Sequence, residues 1–133
     1  MKSIKFFSTA ATLIASIVLL TGNLALADGA SRTGSFSGLS NHITTGDVSV
    51  ISGADGVKIV LAANFSFDGA PDPKVAFGKD GKYDPATIIE PLRSNSGEQS
   101  YKVPASINVD DYNEVYIWCE KFSVGLGVAP ISP

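Results

Sequence analysis

From about residue 34 onward, apolar side chains recur at every second position in short runs, and Gly, Pro, Asp, Asn and Ser break one run from the next. Strict alternation is the mark of strand half-buried against a core. The most ordered run is Val115 to Pro130, VYIWCEKFSVGLGVAP. Val115, Ile117 and Cys119 share one face there, with Tyr116 and Trp118 on the other. The in-register set then becomes Phe122, Val124, Leu126 and Val128. Glu120-Lys121 must absorb one residue of phase, as a bulge or a tight bend. The pattern predicts a core containing Val115, Ile117, Phe122 and Val124.

The same reading extends upstream. It predicts short strands at Gly34–Gly38, Ile43–Ile51, Val57–Phe67, Lys74–Gly78 and Gln99–Val103. Ser52 to Gly56 is a turn around Asp55-Gly56, and Asp68–Pro73 and Lys79–Pro85 are loops. Thr87–Leu92 is β-branched, but Pro91 confines it to an edge or a short run. One helical turn fits around Asp110–Tyr112. About eight short strands without a helical period predict an all-β fold, an antiparallel β-sandwich. Residues 34–133 form one domain, and residues 28–33 read as a flexible tether.

The first 27 residues have a different pattern. Lys2 and Lys5 precede the apolar run Phe6–Leu20, which ends at Ala25-Leu26-Ala27. Those are the three parts of a secretory signal peptide. The run is shorter than the roughly 20 apolar residues that a bilayer span needs. Cleavage before Asp28 leaves an exported chain, periplasmic or extracellular, with no stable membrane insertion. Without Lys2 and Lys5, eight basic residues face 13 acidic ones, a net charge of −5. The acids are scattered and there is no basic patch, which argues against nucleic acid as a partner.

Cys119 is the only cysteine, so no internal disulfide can form. An odd cysteine in an exported chain is an intermolecular partner, a reactive thiol or a ligand; alternatively it packs as a small apolar residue. Lys121, two residues on, is a cation of the kind that activates a thiol. His42 is the only histidine and Met1 the only methionine. These counts exclude a blue-copper site and His/Met-ligated haem, and they argue against a closed Cys/His zinc site, which would need carboxylates in most positions. C-x-x-C and G-x-S-x-G are absent. A Cys119/His42 nucleophile pair is compatible with a sandwich but nothing requires it, and His42 reads better as a loop or strand-edge residue. The acidic stretches Asp68–Asp72 and Asp80–Asp84 do not match a calcium loop and read as turns.

Several of these residues together resemble a known family. Gly97-x-x-x-Tyr101-x-Val103-Pro104, then Tyr112, then Val115-Tyr116-Ile117-Trp118-Cys119-x-x-Phe122-x-Val124 and Gly127-x-Ala129 are similar to the electron-transfer DM-thirteen domain. Gly34-x-Phe36, His42, Gly46, Phe65 and Pro71-Asp72-x-Lys74-Val75 resemble its opening and centre. Leu126 departs from the aromatic residue expected before Gly127. The resemblance implies an all-β domain serving electron transfer outside the cytoplasm. Its cysteine, here Cys119, would be the catalytic and cofactor-binding residue, as a bare thiol or as ligand to a prosthetic group such as haem. A redox partner protein is implied, because one thiol cannot complete a dithiol–disulfide cycle. The rival readings are a periplasmic or cell-surface binding module with a packed cysteine and, further off, a cysteine-dependent hydrolase.

Overall fold

A computed structural model describes residues 30–133. The signal-like segment and residues 28 and 29 lie outside the described residues. The chain forms strands β1 (Ser31–Ser35), β2 (Ser37–Gly38), β3 (Thr44–Thr45), β4 (Asp47–Gly53), β5 (Gly56–Leu61), β6 (Ser66–Phe67), β7 (Pro73–Lys79), β8 (Lys82–Tyr83), β9 (Glu90–Pro91), β10 (Gln99–Val103), β11 (Glu114–Cys119) and β12 (Val124–Pro130). Short 3-10 turns occupy Pro85–Thr87 and Val109–Asp111.

Two antiparallel sheets carry the fold. One has the order β1-β4-β5-β10; the other has the order β2-β12-β11-β7-β8, with β9 beside β7. A small third sheet pairs β3 with β6. The inner faces meet in one apolar cluster. Val48, Val50, Ile59, Leu61, Tyr101 and Val103 come from the first sheet. Val75, Phe77, Val115, Ile117, Cys119 and Leu126 come from the second. Each fully buried Val, Leu, Ile or Phe contributes roughly 1.5–3 kcal/mol, so a cluster of this size holds the sandwich without a disulfide.

The sheets are joined along one edge. Thr33 and Ser132 exchange two backbone hydrogen bonds, of 2.9 and 3.0 Å. A Cβ on Gly34 would lie 1.9 Å from the carbonyl oxygen of Pro130, so only glycine lets β1 pass there. Arg32 reaches across and donates to the carbonyls of Tyr112 and Val109, both at 2.7 Å. The expected tether is therefore strand from Ser31, paired with β4 through Ser31↔Ile51. Ser, Arg and Thr carry little apolar signal, and backbone pairing with a neighbour decides their state.

Phe122 is a second correction. It is 62% exposed and not in the core. Glu120–Ser123 form a four-residue turn between β11 and β12, with Ser123 at φ 49°. That turn is the tight bend that moves the phase. Across it Cys119 pairs with Val124. A further phase change lies inside β12. Ile117 pairs with Gly127 and Trp118 with Gly125, so Leu126 is an extra residue, a bulge. Beyond the bulge Ala129 faces the core, and Val128 pairs with Tyr116 on the outer face instead of following Leu126 inward.

Candidate functional site

Cys119 is the last residue of the central strand β11, with Val124 beside it on β12 and Pro73 on β7. Alternation turns its thiol inward with Val115 and Ile117, into the apolar cluster, where it is 1% exposed. It was expected to be reachable, and in this conformation it is not. Lys121 holds its ammonium 5.5 Å from the centre of the Phe122 ring, out on the turn. His42 is engaged elsewhere: Nδ1 lies 2.9 Å from Asp68 Oδ1, and the ring packs near Phe67. The surroundings of Cys119 therefore do not fit a haem, because the sulfur presents no open side to a metal.

Glu120–Ser123 is the turn that follows Cys119. Asp72 clamps it: its carbonyl accepts from Glu120 N–H at 3.2 Å and its Oδ2 from Lys121 N–H at 3.0 Å. Lys74 Nζ braces the same carboxylate at 3.2 Å. The other acidic-loop carboxylates also make local bonds. Asp68 accepts from Ile43 N–H and pairs with His42, Asp80 accepts from Asn113, and Asp84 accepts from Ala86 N–H and Tyr112 O–H.

The opposite face of β11 carries a feature that sequence reasoning did not anticipate. Glu114, Tyr116 and Trp118 alternate along it. Tyr83, from β8, stacks on Trp118 with ring centres 3.8 Å apart and planes 9° apart. Tyr116 meets both rings edge-on, at 6.2 and 6.3 Å. Edge-on pairs of this kind are each worth about 0.5–1.5 kcal/mol beyond their burial. Gly78 makes the arrangement possible, since a Cβ there would come within 2.4 Å of the Tyr116 ring. Together with Leu39 and Gly125 these residues line a shallow surface groove.

At one end of the groove Glu114 is buried, with Oε1 accepting from Gly81 N–H. Burial, reinforced by the hydrogen bond and the negative charge of the Glu114 carboxylate, pushes the Tyr116 phenol up to about 12. Burial is also the main cause of the raised Tyr83 phenol. One sequence signal marks this site. Asp80-Gly81 between Lys79 and Lys82 has both residues at positive φ, 52° and 84°, which is the Asp-Gly hairpin turn that brings β8 back along β7.

Fold and site define a small β-sandwich domain with one core thiol and a face of readily oxidised rings. The chain belongs to the electron transfer DM13 family, whose model matches residues 35–131. It is an electron-transfer domain in that general sense, and such a domain works with a redox partner. No curated protein and no solved structure matches the chain. With one cysteine it has no internal disulfide. Among the described residues no helix is long and apolar enough to cross a membrane.

Proposed function

We propose that this is an exported electron-transfer accessory domain whose working residue is Cys119, used as a bare thiol toward a redox partner protein. Family membership supports the role. The observation that carries the choice of residue is the place of Cys119 at the strand end, directly before a turn held by Asp72. A lone thiol cycles with a partner's sulfur. Its thiolate attacks a partner disulfide, an Sγ–S bond forms, and the partner's second sulfur leaves as thiolate. In this reading the turn lifts to admit the partner. Export rests on Lys2, Lys5, the apolar run and Ala25-Leu26-Ala27; N-terminal sequencing of the secreted protein should read from Asp28, and a retained Met1 would refute it.

Maleimide labelling of the native protein tests the thiol. Slow labelling is expected for the wild type. Asp72→Ala, which frees the turn, should accelerate it well before global unfolding. A second reading, a binding module with a structural cysteine, is favoured by the 1% exposure of Cys119. Labelling that tracks global unfolding alone, in both wild type and variant, would decide for that second reading.

A further inference from the structure

The outer face of β11 contains the chain's only tryptophan, a stacked tyrosine, a second tyrosine edge-on to both, and a buried carboxylate two residues along the strand. Indole and phenol rings are, with sulfur, the side chains that give up an electron most readily. Stacking at 3.8 Å lets two rings share the resulting positive hole. Phenol oxidation has a further requirement. The oxidised ring is strongly acidic, so the electron leaves easily only where a base takes the proton. Glu114 is the carboxylate next to Tyr116 on this face of β11: one oxygen is held by Gly81 N–H, and its charge acts on the phenol.

We propose that Trp118, stacked on Tyr83 and edge-on to Tyr116, is a one-electron relay opening on the outer groove, with Glu114 as the proton acceptor for Tyr116. A high-potential one-electron oxidant at the groove takes one electron from the Trp118–Tyr83 stack and is itself reduced by one. The hole passes to Tyr116 as its electron moves to the stack. The phenolic proton goes to the Glu114 carboxylate, leaving a neutral tyrosyl radical and a carboxylic acid. The proposal rests on the electron-transfer role of the family, not on Cys119 as the working residue.

Tyr112 supplies an internal control. It donates directly to a carboxylate, Asp84, at 2.7 Å, but it stacks on Phe77 and not on the indole. The test is flash photolysis of the full chain with photogenerated tris(bipyridine)ruthenium(III), read by transient absorption. The indole radical should rise as ruthenium(III) decays, then convert to tyrosyl. Trp118→Phe should lose the early signal and slow the tyrosyl. Tyr116→Phe should lose the tyrosyl although the Tyr112–Asp84 pair is intact. Glu114→Gln keeps an acceptor for Gly81 N–H but no base; it should abolish the solvent deuterium effect on tyrosyl formation. Tyr83→Leu, on a two-residue edge strand, is the variant least able to disturb folding, and it should reduce the yield of indole radical. The relay is overturned if tyrosyl forms as fast in Trp118→Phe, or if it survives in Tyr116→Phe. It is also overturned if the wild-type indole radical decays without producing tyrosyl. Each of these outcomes leaves the maleimide test of Cys119 unaffected.

Discussion

Replacing the Cys119 sulfur with oxygen changes little in size and much in polarity. At 1% exposure the new hydroxyl would sit among Val115, Ile117 and their neighbours. A buried hydroxyl without a partner costs about 1–3 kcal/mol. Cys119→Ser should therefore fold but show that loss in a denaturant titration; an unchanged midpoint would mean that the site is wetter than the structure shows. Tyr116 gives the second residue-scale test. Its phenol is pushed up to about 12, first by burial and then by Glu114. A pKa raised above the ordinary 10.0 means that the folded state favours the neutral phenol. That stabilisation is fully present below pH 10 and is lost as pH rises through about 12. Ultraviolet titration should show one tyrosine ionising last, and Glu114→Gln should bring it down.

Among the elements, the crossing from β1 to β12 leaves no room for a side chain at Gly34. Gly34→Ala would press a methyl onto the Pro130 backbone carbonyl, which cannot swing aside like a side chain. Overpacking of this kind costs typically about 1–3 kcal/mol, so a clear drop in melting temperature is expected. If stability is retained, the sheets must be able to separate locally. Elements of this kind show what the sequence could reveal. The period-two runs that became β5, β7, β10 and β11 were legible because alternate side chains of each point into the core. Pro91 marked β9 as an edge strand correctly, and the helical turn near Asp110 appears at Val109–Asp111. Phe122 was misplaced because alternation was continued through a turn whose residues face solvent. The start of β1, Ser31 to Thr33, was missed because its side chains are polar and its strand character comes from β4. The Tyr83–Trp118 stack joins residues 35 positions apart through a two-residue strand, too short for any periodic signal.

Across the whole molecule, loops and crossovers are pinned by exposed aspartates. Asp47 is bonded to Ser35 and Asn64, Asp68 to Ile43 and His42, and Asp84 to Tyr112 and Ala86. These bonds hold all three carboxyls below the ordinary 3.8. The sign follows: their contribution is present above pH 3.8 and is lost as pH falls through the lowered values. Stability measured against pH should fall below about pH 4, and the triple Asp→Asn variant should flatten that limb. An unchanged acid limb in the variant would show that other groups carry it.

The paired Thr33 and Ser132 also put the first and last strands of the domain side by side. Order along the chain is thus nearly independent of order in space at this edge. A few flexible residues joining 133 to 30 would close the polypeptide into a ring without strain, and the exposed Ala54–Asp55 tip offers a place to open it again. A circular permutant beginning at Gly56 should recover the same two sheets and the same sheltered thiol. Its new ends would emerge at the β4–β5 hairpin tip, in the other sheet from β11, so a fusion partner could be attached there without touching the outer groove.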